Sequence, residues 1–338
     1  MRAKRHGAAR LGPTPGDAVV LADIGGTNAR FALLADGTVS PIEHVSVRDY
    51  AHFADALTDF LASCGRHSKV SSAELAVAGV VCDERCALTN SPWVIDATEL
   101  RGKFGFTHVH LFNDFEAIAW SLPHLADGDL YPLGGGRALS RASMAVIGPG
   151  TGLGVASLVM HADDVFVIAT EGGHSTLPAT SQREDVVIEH LRQRFGHVSA
   201  ECTLSGAGLE NLYWAIAASD SVAVPERSAA NITQAALDGV CPISKAALDM
   251  FCAMLGTVAG DIALTLGARG GVFIAGGIVP RITDYIARSQ FRARFEAKGR
   301  LRRYLQPIPT HVILHTDAAF LGLQSIAARR CDSAVRQG

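Results

Sequence analysis

The chain has 338 residues, with 30 Lys+Arg against 33 Asp+Glu for a formal net charge of −3, and it is 48% hydrophobic and 19% charged. That balance excludes an intrinsically disordered chain, which needs low hydrophobicity and high charge, and a dedicated nucleic-acid binder, which carries a basic surplus. The 34 glycines, about 10% of residues against a background near 7%, come from neither repeats nor low complexity and need a physical explanation.

The length allows one large or two ordinary domains. Residues 1–15 carry four Arg/Lys with no hydrophobic run behind them and read as a flexible basic tail, unlike a secretory signal. Ala18–Ile24 (AVVLADI) is a β-branched run that stops at Gly25-Gly26-Thr27-Asn28, and Arg30–Leu34 (RFALL) resumes the apolar pattern up to the turn Asp36-Gly37. Strand, tight glycine turn and strand make a β-hairpin, which differs from the strand-to-helix loops of GxGxxG and Walker sites. A helix is expected over Asp49–Ser63.

His108–Phe112 alternates as a strand and meets Asn113-Asp114 at the start of a helical run that Pro123 stops. The ordinary reading of such a pair is an N-cap. The functional reading makes Asp114 a proton acceptor for a substrate hydroxyl, ionised at neutral pH and basic by position, with Asn113 binding a neighbouring hydroxyl.

A second strand, Ser143–Ile147, ends in Gly148-Pro149-Gly150-Thr151-Gly152-Leu153-Gly154 and resumes at Val155–Met160, which is again a hairpin. Either glycine turn alone would pass as a turn without a ligand. Two of them, each with a threonine beside bare backbone N–H groups, suggest anion nests that clamp a nucleotide polyphosphate. Asp23, just before the first tip, suits a water-mediated contact to Mg²⁺.

Glu171-Gly172-Gly173-His174 follows the strand Val165–Thr170, and its Glu and His could be a metal half-site or could read sugar hydroxyls. A helix over Ser181–Phe195 precedes Glu201, and Leu204–Gly208 opens the next helix. A long helix is expected over Lys245–Leu266, then a buried strand between Gly270-Gly271 and Gly276-Gly277, then a helix over Ile278–Ser289 with Pro280 in its first turn. No run approaches the ~20 apolar residues of a membrane-spanning helix. The seven cysteines form no CxxC pair and are expected as reduced thiols in a cytoplasm.

In order, ADIGGTNARFAL (22–33), LTNSPW (88–93), NDFEA (113–117), GPGTGLG (148–154), EGGH (171–174), GHVSAE (196–201), LSGAGLENLY (204–213) and GGVFIAGGIVPR (270–281) resemble the bacterial ATP-dependent glucokinases of the proteobacterial type. These belong to the actin-like sugar kinase superfamily, and the resemblance spans roughly residues 18–328. It implies an α/β, two-domain actin-like ATPase (ribonuclease H-like) fold with the active site in the interdomain cleft. Residues 16–124 plus 316–338 would form a small domain and 125–315 a large one. Ala22, Asp23, Ile24, Gly25, Gly26 and Thr27 would form the first phosphate turn, Gly150, Thr151 and Gly152 the second, and Gly276 and Gly277 would contact the adenosine. Asp114 would be the general base, and Asn90, Asn113, Asp114, Glu171, His174 and Glu201 would bind glucose. The resemblance further implies ATP with Mg²⁺, a cytoplasmic homodimer, and no nucleic-acid or membrane partner.

Two departures from relatives bear on chemistry. ROK-type sugar kinases pair a GGH histidine with a cysteine-rich zinc motif, whereas the segment after His174 (STLPATSQRED) has no cysteine, so no zinc is expected. Ala207 stands where LSGPG is common in the family, which softens a turn without removing chemistry. Phosphorylation of another hexose, a polyphosphate donor, a catalytically weak sugar sensor and an actin-like filament protein are the competing readings.

Overall fold

The computed structural model describes residues 17–65, 69–88, 91–161 and 164–336, without the side chains of 331–336. The basic tail at 1–15 and Asn90 lie outside the described residues. The chain divides into two compact units: one runs to His124 and takes up the chain again at Asp317, and the other is Leu125–Thr316.

In chain order the first unit holds β1 (Ala18–Ile24), β2 (Asn28–Ala35), β3 (Thr38–Val39), β4 (Glu43–Ser46), α1 (Phe53–Ser63), β5 (Val70–Val77), β6 (Arg85–Ala87), β7 (Val94–Asp96), α2 (Ala97–Phe104), β8 (His108–Asn113) and α3 (Asp114–Ser121). The second unit follows with β9 (Leu130–Gly134), β10 (Met144–Pro149), β11 (Leu153–His161), β12 (Asp164–Thr170), α4 (Gln182–Phe195), α5 (Gly206–Ser219), α6 (Ala229–Leu237), α7 (Pro242–Leu266), β13 (Gly271–Ile274), α8 (Thr283–Arg288), α9 (Phe291–Glu296), α10 (Arg302–Leu305) and β14 (Thr310–Ile313). The last helix, α11 (Ala318–Arg336), belongs to the first unit, where it packs on α3 and β1.

Both main sheets have the same plan. In the first, the order is β3-β2-β1-β5-β8 with β4 also on β2, and in the second it is β12-β11-β10-β13-β14-β9. Each begins as an antiparallel hairpin, β1–β2 or β10–β11, and continues through two strands parallel to the hairpin's first strand. Alternation along β1 decides what faces what. Val20, Ala22 and Ile24 enter the core that also holds Phe53, Leu57 and Phe60 of α1. Val19 and Leu21 enter the core made with Phe320 and Leu323 of α11. Asp23 follows Leu21 at the period of two and so faces the α11 side.

The core of the second unit centres on α7, which is long and apolar enough to cross a membrane by composition alone. Most of it is buried, from Ala247 through Ala263, against α5, α6 and α9. A helix enclosed on several sides has no need of a polar stripe.

Two expected helices are broken in the structure. Asp49–Ser63 is a 3₁₀ turn (Val47–Asp49), an extended linker and then α1. The break has a tertiary cause: the Tyr50 carbonyl accepts from Trp93 Nε1 at 3.0 Å, and Tyr50 stays extended at φ −132°. Ile278–Ser289 divides into a 3₁₀ turn (Val279–Arg281) and α8. There the Ile278 N–H reaches back to the Pro149 carbonyl at 3.4 Å, Pro280 has no N–H to give, and Ile282 leaves helical geometry at φ −130°.

Candidate active site

In the first unit, three parallel strands end level. Ile24 of β1 pairs with Val77 of β5, and Val77 pairs with Asn113 of β8. With strands ~4.8 Å apart, the ends of β1 and β8 lie about 10 Å from each other at one sheet edge. The carboxyl ends of parallel strands are where α/β sheets bind ligands.

The β1–β2 turn closes through the Gly25 N–H on the Asn28 carbonyl at 2.9 Å, and Thr27 is exposed at its tip. Ala22 and Ile24 are fully buried and paired with both β2 and β5, so their side chains face the core and hold the turn in place. Asp23 has Arg30 as its direct cross-strand partner, and Arg30 Nη1 lies 3.4 Å from Asp23 Oδ2 and 3.8 Å from Asp317 Oδ1.

Burial pushes the Asp23 carboxyl above its ordinary range; the Arg30 guanidinium opposes that shift and the Asp317 carboxylate adds to it. A raised value means that the stability Asp23 contributes is fully present below 3.8 and is lost as pH rises through the folded-state value. Asp23→Asn keeps the shape without the charge. Its melting temperature at neutral pH should equal or exceed that of the parent, and the gap should close as pH falls below 3.8. A lower melting temperature confined to neutral pH would show instead that the pairing with Arg30 outweighs burial.

Asn113 caps α3, its Oδ1 accepting from the N–H groups of Phe115 (2.9 Å) and Glu116 (3.4 Å). Such a cap stabilises a helix by about 1 kcal/mol. It also commits the amide oxygen, so a ligand hydroxyl would meet the Nδ2 donor, which lies 3.4 Å from the Gly79 carbonyl. Asp114, the first residue of α3, is half-buried and accepts from the Phe115 N–H at 2.9 Å. Burial pushes the Cys86 thiol up and the Asp114 carboxylate adds to that shift, which puts the two within electrostatic reach.

In the second unit the β10–β11 tip is tied down from four directions. The Gly150 N–H donates to the Gly152 carbonyl at 2.8 Å, and the Gly206 N–H donates to the Gly150 carbonyl at 2.9 Å. Glu201 Oε2 accepts from the Leu153 N–H at 2.8 Å. Gly276, at φ +84°, lies so close that a Cβ there would overlap the Pro149 carbonyl oxygen.

Thr170 pairs with Val155, so the 3₁₀ turn Gly172–His174 packs on the start of β11, where a Cβ on Gly173 would overlap the Leu153 carbonyl. The Ala200 N–H donates to the Ser175 carbonyl at 2.9 Å and joins the segment holding Glu201 to the Glu171–His174 turn. Within this unit the structure therefore brings together Gly150, Thr151, Gly152, Glu171, His174, Glu201, Gly276 and Gly277. Glu171 and His174 are exposed, and no hydrogen bond or ion pair ties either side chain to another described residue.

Gly150 and Gly277 differ from their neighbours. A Cβ on Gly277 would meet nothing within 4 Å, and one on Gly150 would meet only the Gly277 N–H group's nitrogen at 4.0 Å. Neither has a positive φ. The chain's own packing does not require glycine at these two positions, which leaves an open cradle between the hairpin tip and the end of β13.

Among the described residues, no group of three or more His, Cys, Asp or Glu side chains could hold a metal ion. Asp23, a single carboxylate engaged with Arg30, suits a water-mediated contact to an ion carried by phosphate oxygens and does not suit a resident ion.

Arg30 and Asp317 are additions to the residues that motif reading singles out. Arg30 was within reach of it, since the hairpin register places it opposite Asp23. Asp317 has no motif around it; only the return of α11 brings it near.

The glucokinase family model matches residues 20–330. The glucokinase of Nitrobacter hamburgensis is 46% identical over 91% of this chain and 96% of its own length. That of Paramagnetospirillum magneticum is 46% identical over 91% and 97%. Among solved structures, a glucokinase from an Antarctic psychrotroph superposes with a TM-score of 0.84 at 34% identity, covering 93% of this chain and 99% of the other.

Proposed function

The chain belongs to the glucokinase family and is an ATP-dependent hexose kinase acting on glucose, and we propose that Asp114 is the general base of that reaction. Asp114 takes the proton of the glucose 6-hydroxyl as that oxygen attacks the γ-phosphorus of ATP; the bond to the β,γ-bridging oxygen breaks, giving glucose 6-phosphate and ADP. The observation that carries this reading is the register Ile24–Val77–Asn113, which sets a bare phosphate-type turn and an Asn-Asp pair at one sheet edge.

The rest of the machinery follows from donor and acceptor chemistry. The N–H groups of Gly26 and Thr27 and of Thr151 and Gly152 hold phosphate oxygens, the Gly25 and Gly150 N–H groups closing the two turns, the open cradle at Gly150 and Gly277 takes the nucleoside side, and Mg²⁺ enters with ATP. Phosphoryl transfer passes through a loose transition state, so positioning and charge stabilisation supply most of the acceleration. Asn113 donates through Nδ2 to a sugar hydroxyl, while Glu171, His174 and Glu201 meet the others. Asn90 joins this set only by motif. A homodimer and a cytoplasmic location complete the proposal.

A coupled assay of ADP release with ATP across glucose, mannose, fructose and amino sugars tests it. Glucose should give the highest kcat/KM. Higher kcat/KM with another hexose would reassign the acceptor, and glucose binding without turnover would make the chain a sensor.

A further inference from the structure

We propose that Glu201 is a positioning residue for the β10–β11 hairpin as well as a sugar-hydroxyl acceptor, so that one carboxylate couples sugar binding to the geometry of the phosphate turn. The inference rests on the functional reading above, in which the hairpin tip holds ATP phosphates and Glu201 faces glucose.

The two oxygens of Glu201 are turned differently. Oε2 accepts from the Leu153 N–H at 2.8 Å. A Cβ built on Gly152 would stand 2.5 Å from Oε2 but 3.9 Å from Oε1, so Oε2 is pressed against the hairpin and Oε1 points away from it. Leu153 is buried, and its N–H has this charged acceptor in place of water.

The backbone that delivers the carboxylate is held on several sides. Glu201 sits in a 3₁₀ turn (Ala200–Cys202), the Ser205 hydroxyl donates to the Glu201 carbonyl at 3.0 Å, and Asn211 Nδ2 donates to the Cys202 carbonyl at 3.0 Å. Ser205 also caps α5, whose first residue, Gly206, donates to the Gly150 carbonyl. A shift of this turn therefore reaches the hairpin at both Gly150 and Leu153. Coupling of this kind is reciprocal: what sugar binding does to the hairpin, a disturbed hairpin does to sugar binding.

The test measures ADP affinity without glucose by titration calorimetry, and glucose KM at saturating ATP, in Glu201→Ala, Glu201→Gln and Gly152→Ala. Glu201→Ala should weaken ADP about tenfold by leaving the buried Leu153 N–H without an acceptor, and should also raise glucose KM. Glu201→Gln still offers an amide oxygen to Leu153, so ADP affinity should stay within about twofold while glucose KM rises. Gly152→Ala should raise glucose KM from within the phosphate turn, and should add nothing further in a Glu201→Ala background.

Unchanged ADP affinity in folded Glu201→Ala, or equal effects of Gly152→Ala on glucose KM in both backgrounds, would overturn the coupling alone. Failure of the parent enzyme to bind ADP would overturn the phosphate-turn reading and the coupling with it. If Glu201→Ala does not fold, Gly152→Ala without effect on glucose KM overturns the coupling.

Discussion

Asp114→Asn should lower kcat by about 10²–10⁴-fold while glucose KM changes little, the range that general-base catalysis contributes. The substitution is nearly isosteric. It keeps an oxygen to accept from the Phe115 N–H and leaves the Asn113 cap of α3 intact, so the fold has no reason to change. What it removes is the capacity to take a proton, since an amide cannot serve as a base at neutral pH. A variant with unchanged melting temperature and near-normal turnover would strip Asp114 of the role. A variant that lost activity together with glucose affinity would show Asp114 to be a binding group, with the base elsewhere.

The glycines should divide sharply into two classes on substitution by alanine. Gly276→Ala and Gly173→Ala each drive a methyl into a carbonyl oxygen, of Pro149 and Leu153 respectively, and Gly276 is also at φ +84°. Overpacking of this kind costs about 1–3 kcal/mol, with more at Gly276 from the left-handed backbone. Gly277→Ala meets open space and Gly150→Ala only an ordinary contact with the Gly277 nitrogen at 4.0 Å, and both should leave stability within about 0.5 kcal/mol, the range of substitutions away from packed features. Their cost should fall on the nucleotide, as a raised KM for ATP. Denaturant unfolding and ATP kinetics on the four variants separate the classes. Normal ATP kinetics in both Gly150→Ala and Gly277→Ala would remove the cradle from nucleotide binding.

Much of this arrangement is legible in the sequence because the signals are local. A β-branched run that stops at Gly25-Gly26 and resumes within a few residues allows little besides a hairpin, and the same holds around Gly148–Gly154. Asn113 before a helical run is a cap by its own chemistry, and it caps α3. The failures have tertiary causes. Nothing near Tyr50 announces that Trp93 will claim its carbonyl, and nothing near Ile278 announces the pull of Pro149. The same limit applies to the site. Composition flags all the glycines alike, yet only packing separates Gly276, which the hairpin requires, from Gly277, which it does not. Glu201 and Leu153 are 48 residues apart, and their hydrogen bond exists only because the segment after α4 returns to the start of β11.

The most direct measurement is ³¹P NMR of the products formed from glucose and ATP. Glucose 6-phosphate and ADP appearing in equal amounts, with inorganic phosphate absent, is the expected result. ADP accompanied by inorganic phosphate and no sugar phosphate, or phosphate placed on a hydroxyl other than the 6-position, would contradict it.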